Sequence, residues 1–173
     1  MERKQHTTTI VADFFADGYR VSGAYDARQR SLGDAIYDST TSYLTIENAY
    51  VSSIRQAGEI TGSYPVAIIV KDALTFVLSM DLNDTLRRDQ KYGSYLGLQL
   101  VPIFLTLPFF DLQGFLRLPG RLDPRVLLSS TTERFLTVVD VTAHVTFEPD
   151  LSFQGAVALV NKSQISFLGL QSL

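Results

Sequence analysis

The sequence predicts a mainly β protein: two homologous five-stranded antiparallel barrel-like units, each with one short helix, packed with pseudo-two-fold symmetry. Three observations predict it. Short apolar runs alternate with polar residues at period two, the mark of half-buried strands. The chain matches itself when slid by 91 positions, the mark of a duplicated unit. Glycine, proline and polar turn residues punctuate both halves in the same order. The 173 residues are enough to bury a core without cross-links. They divide into a first unit over residues 1–80, a charged linker over 81–95 and a second unit over 96–173.

Each element has its own warrant. The first strand of each unit is Thr7 to Ala16 or Leu98 to Leu107. A turn at Asp17-Gly18, or at Pro108, leads to Tyr19–Tyr25 or Phe109–Leu116, where Tyr19, Val21 and Gly23 share a face, as do Phe110, Leu112 and Gly114. Gly23 and Gly114 superpose, and a glycine inside a strand marks a bulge or a close backbone approach. A short helix follows. Ser31 with Asp34 three residues on makes a capping pair in the first half. Asp123 followed by Pro124 makes a cap with proline at the first helical position in the second. Both helices run into a Ser-Thr-Thr triplet, Ser39–Thr41 or Ser130–Thr132, whose hydroxyls favour leaving a helix.

The third strand is Tyr43 to Arg55, or Arg134 to Phe147 after a slip of one residue, as a bulge or loop insertion would leave. The last two strands read as a hairpin, Tyr64–Val70 with Leu74–Leu78, or Phe153–Val160 with Ile165–Leu170. Lys71-Asp72 and Asn161-Lys162 stand where a tight turn wants polar residues. The linker, Met80 to Tyr95, is the most charged stretch, and Leu82 with Leu86 predicts a short helical turn inside it.

Composition narrows function. Hydrophobic residues are 46% and charged residues 19%, which excludes a disordered tail or a coiled coil. The net charge of -3 gives no bulk attraction for nucleic acid. The absence of cysteine excludes a thiol nucleophile and a Cys-ligated metal. Met1 to Thr7 leads into no apolar signal region, and the apolar stretch Leu98 to Leu118 is broken by Pro102 and Pro108, so a cytoplasmic protein without a transmembrane segment is expected.

No catalytic constellation emerges. The histidines are His6, in a tail, and His144, which shares a polar strand face with Thr142 and Thr146 and reads as an exposed polar-face residue. Asp111 lies within an apolar stretch and reads as a turn or edge residue. There is no glycine-rich phosphate loop, G-x-S-x-G elbow or H-E-x-x-H pair. The expectation is a non-enzymatic protein with no metal and no cofactor.

Several strings carry resemblances. Arg30-Ser31-Leu32-Gly33-Asp34 with Ser42-Tyr43-Leu44-Thr45-Ile46, and Gly120-Arg121-Leu122-Asp123 with Arg134-Phe135-Leu136-Thr137-Val138-Val139-Asp140-Val141, resemble an uncharacterised bacterial β-rich domain family. The element order is similar to that of small Sm-like barrels, which implies weak RNA binding through a basic cluster such as Arg117, Arg121, Arg125 and Arg134. Arg121-x-x-x-Arg125 with Asp150-x-Ser152-x-x-Gly155 resembles the two-part signature of PilZ domains. That resemblance implies cyclic di-GMP binding, with two guanidiniums on the phosphates and guanines and Asp150 and Ser152 on a base edge.

The leading expectation is a module that binds a protein partner or forms a homo-oligomer. Eleven Phe and eight Tyr supply apolar surface, and fused β units have strand edges to cover. Arg30, Phe109 and Phe110 are the expected interaction residues.

Overall fold

The computed structural model describes residues 8–87, 98–118, 120–121, 123–129 and 133–171. The first half holds β1 (Thr9–Ala16), β2 (Tyr19–Asp26), α1 (Leu32–Tyr37), β3 (Tyr43–Ser53), β4 (Ile60–Val70) and β5 (Leu74–Ser79), followed by α2 (Leu82–Thr85). The second holds β6 (Gln99–Leu107), β7 (Phe110–Leu118), α3 (Pro124–Leu127), β8 (Phe135–Val145), β9 (Glu148–Asn161) and β10 (Phe167–Leu170). Short 3-10 turns at Ile54–Gln56, Lys71–Ala73 and Lys162–Gln164 complete the described elements. His6, the second Ser-Thr-Thr triplet and linker residues 88–95 lie outside the described residues.

All ten strands form one open antiparallel sheet in the order β10-β6-β7-β8-β9-β5-β1-β2-β3-β4. The order β5-β1-β2-β3-β4 of the first half recurs as β10-β6-β7-β8-β9 in the second. Registers recur as well. Thr9 faces Asp26 and Leu100 faces Arg117; Phe76 faces Phe15 and Phe167 faces Thr106.

Three expectations need correction. The two barrel-like units give way to one open sheet, because β5 takes β9 of the other half as its second partner and neither half closes on itself. The last two strands of each half are not a hairpin. β4 pairs with β3 alone, while β5 pairs with β1 and β9. The cause is local: Lys71–Ala73 forms a 3-10 turn, and the Lys71 N–H donates to the Ser42 carbonyl at 2.9 Å. The chain thereby swings off the β4 edge, and Lys162 does the same by donating to the Arg134 carbonyl at 2.9 Å. The expected two-fold relation also gives way to a head-to-tail one. β9, fourth strand of its half, meets β5, fifth strand of its half, whereas a two-fold axis would join like to like.

Local expectations about turns and caps agree with the structure. Asp17 and Gly18 both have positive φ, 48° and 75°, as the commonest two-residue hairpin turn demands. Asn48 and Asp140 hold left-handed backbone inside β3 and β8, at φ 50° and 51°. The neighbouring ladders shift register between Ser22 and Ala24 and between Gln113 and Phe115. Gly23 and Gly114 fill those shifts. A Cβ on Gly23 would lie 2.7 Å from Ile46 Cδ1, and one on Gly114 would lie 2.6 Å from Val138 Cγ1. Ser31 Oγ accepts from the Asp34 N–H at 3.0 Å, and Asp123 Oδ1 from the Arg125 N–H at 3.0 Å.

Two apolar clusters result. One joins Ile10, Phe14, Leu44, Ile46 and Val77 to Leu32 and Ile36 of α1, and takes in Phe135, Val157 and Leu159 from the second half. The other joins Ile103, Leu105, Leu112, Val138 and Val160, and takes in Phe15, Phe76 and Leu78 from the first half. Each half therefore inserts side chains into the other's core. This explains why all six residues of β5 are buried.

Candidate functional site

Three ladder positions carry the candidate surfaces: the β9–β5 junction and, among the described residues, the two sheet edges β4 and β10. At the junction Phe76 faces Val160, Val77 faces Leu159, Leu78 faces Ala158 and Ser79 faces Val157. Alternation sends Phe76 and Leu78 into one cluster and Val77 into the other. Phe15 and Phe76 stack with centroids 4.4 Å apart, and Phe110 meets both edge-on at 5.0 Å. Phe153 closes on Phe15 at 5.2 Å, with the Arg20 guanidinium 4.8 Å over its ring. Arg20 is held by paired bonds of 3.1 Å to the Asp13 carboxylate.

Polar groups close the junction at its end. The Asn161 side-chain amide donates to the Leu74 carbonyl at 2.9 Å. Its oxygen accepts from the Ser163 N–H at 3.1 Å and hydroxyl at 2.8 Å. Arg134 pairs with Asp72, and Arg87 with Glu133. Arg87 also lies 4.3 Å over the Tyr37 ring, whose hydroxyl meets Thr137 Oγ1 at 2.7 Å.

Among the described residues the edges β4 and β10 carry the same kind of surface without a cover. β4 is rich in β-branched residues and alternates, so Ile69 is buried while Val66, Ile68 and Val70 face out. Tyr43 on the adjoining β3 is exposed beside them. At the opposite end Phe167 of β10 is exposed, touching Phe104 at 6.4 Å between centroids. Beside it a shallow hollow of 570 Å³ is lined by Pro102, Phe104, Gln113, Phe115 and Asp140, among others.

A buried lysine was not legible in the sequence. Lys71 is almost fully buried, and its Nζ donates to the Asp38 carbonyl at 2.8 Å and to Thr41 Oγ1 at 2.7 Å. Burial pushes its pKa below the usual lysine value, with the nearby Asp38 charge opposing. Asp38 is itself held well below the usual carboxylate range, first by hydrogen bonds from Thr40 and then by Arg30. The signal that could have found Lys71 is its place in an otherwise apolar run ending at the 3-10 turn. Together these groups brace the loop after α1 against the end of β4.

The sequence-derived candidates scatter. Arg30 clamps α1, with Nη1 on Asp38 at 3.0 Å and Nη2 on the Asp34 carbonyl at 2.6 Å. Phe110 is a core residue and has no surface to offer. Phe109 is at the surface, at φ 68°, 6.2 Å from the Phe147 ring. Arg121 is exposed, and Arg125 turns back onto Asp123 at 3.3 Å. Asp150 and Ser152 lie near the start of β9, where Ser152 faces His144. The two arginines follow β7, whose C-terminal end runs beside the start of β8, while Ser152 lies beside the far end of β8. Nine residues of extended strand, about 30 Å, separate those ends. In the basic cluster Arg134 and Arg125 are both engaged by carboxylates. Asp111 and His144 are half-buried and face each other across the β7–β8 ladder.

No protein-family model matches the chain, nor does any curated protein or solved structure. Among the described residues no helix is long and apolar enough to cross a membrane.

Proposed function

We propose that the protein is a non-enzymatic self-assembling module, built from two copies of one five-stranded unit joined head to tail. A single observation carries this reading. Among the described residues the β4 edge presents unpaired backbone on one side and exposed Val66, Ile68 and Val70 beside it. Free edges of that kind template pairing with another chain, and proteins that stay single blunt them with charge, proline, bulges or short strands; here Pro65 and the bulge opposite Val51 lie before the apolar Val66–Val70 segment, which has none of these. β4 runs eleven residues and carries no charged side chain. The repeated strand order and the 91-residue offset of the registers support the two-copy reading.

The test is molar mass by size-exclusion chromatography with light scattering across a wide concentration range. A mass of several chains is the expected result. A single-chain mass throughout would overturn the assignment.

A further inference from the structure

Resting on the self-assembly reading, we propose that the partner is a second copy of this chain, bound head to tail: β4 of one copy pairs with β10 of the next, in the register of the internal β9–β5 junction.

The argument is a comparison of counterparts. The 91-residue offset maps β9 onto β4 and β5 onto β10. Val157 and Leu159 are 0% exposed at the internal junction, and their counterparts Val66 and Ile68 are 58% and 64% exposed. Phe76 is 0% exposed and its counterpart Phe167 is 56% exposed. Phe135, which enters the first half's core, corresponds to exposed Tyr43 after the one-residue slip. The chain thus shows at its two ends the apolar set that it buries at its middle.

The junction fixes the expected pairing. Phe76 facing Val160 becomes Phe167 facing Ile69, and Val77 facing Leu159 becomes Leu168 facing Ile68. Gly169 then faces Ala67 and Leu170 faces Val66. Opposite residues share a face in an antiparallel pair, so Ile68 enters the core that already holds Leu168, and Phe167 enters the core that holds Ile69. Volumes also compensate. A Cβ on Gly155 would lie 2.5 Å from Leu78 Cδ1. The counterparts are Tyr64 and Gly169, so large and small exchange sides. Pro65, which has no N–H to give, falls one residue outside the paired segment, where Ala156 stands in the internal junction.

Such a contact is heterologous. It leaves one open edge at each end of every assembly and ends only when a ring closes.

The experiment uses the full chain and two edge variants, Ile68→Lys and Phe167→Lys, both at exposed positions, with circular dichroism to verify the retained β fold. Light scattering reads the mass. Wild type is expected at several chains. Each variant alone is expected at one chain, since every pairing would need the damaged edge. An equimolar mixture is expected at two chains and no more, because one intact β4 and one intact β10 remain. A single-chain wild type would overturn both this inference and the self-assembly reading. An assembling wild type whose variants each still form dimers, or whose mixture stays at one chain, would overturn only the head-to-tail pairing.

Discussion

Asn161 donates its side-chain amide to the main-chain carbonyl of Leu74, 2.9 Å away, and so ties the end of β9 to the start of β5 across 87 residues of sequence. The group is buried, and its oxygen is satisfied by Ser163. Asn161→Ala leaves a buried carbonyl without its donor, which costs about 1–3 kcal/mol. Urea denaturation should show a lowered midpoint. An unchanged midpoint would remove Asn161 from the forces that hold the two halves together.

Phe76 and Phe167 are counterparts in different settings. Phe76→Ala empties a site between Phe15 and Phe110 and should destabilise the fold by about 3–5 kcal/mol. Phe167→Ala removes an exposed ring and should change the stability of the dilute single chain by no more than about 0.5 kcal/mol. Equal losses in the two variants, measured by denaturant unfolding at low concentration, would contradict the burial difference.

Gly114 meets β8 closely. An added Cβ would lie 2.6 Å from Val138 Cγ1 and 2.9 Å from the Val139 carbonyl, so Gly114→Ala forces the strands to shift, at about 1–3 kcal/mol. Gly58 has nothing within 4 Å of such an atom. Gly58→Ala should therefore leave the thermal midpoint nearly unchanged while Gly114→Ala lowers it.

Asp38 makes the fold sensitive to acid. Thr40 and Arg30 hold its folded pKa below the ordinary value of 3.8. The unfolded state then binds more protons, so the stabilisation is complete above that ordinary value and is lost as pH falls through it towards the folded one. The gap in urea midpoint between wild type and Asp38→Asn should be wide at neutral pH and narrow on acidification below that ordinary value. A gap that stays constant would show that the charge of Asp38 does not matter.

Much of the fold was legible because period two and turn chemistry are local. Ser31 with Asp34, Asp123 with Pro124, and Asp17 with Gly18 each specify their own geometry, and Leu82 with Leu86 marked the turn of α2. Partner choice is not local. Lys71-Asp72 has the polarity of a hairpin turn, yet the bonds that bend it come from Ser42, Asp38 and Thr41, about thirty residues earlier. The paired arginines and the Asp150–Ser152 turn looked like one site in sequence because spacing alone does not tell which end of β8 each would reach. Phe109 and Phe110 are alike in sequence, but Phe109 falls in the left-handed turn before β7 and stays at the surface, whereas Phe110 opens β7 facing the core. The free edges were anticipated as a general liability of fused β units. Their identity needed the strand order.

β5 also has a consequence for birth on the ribosome. Its second neighbour, β9, begins pairing only at Val157, some eighty residues downstream of Phe76. At translation speeds of about 5–20 residues per second, that strand waits several seconds with one flank bare. A nascent chain in that interval offers the sticky side of β5 to anything passing, so a chaperone or a neighbouring ribosome's product has its opening then, before the native suitor has been synthesised.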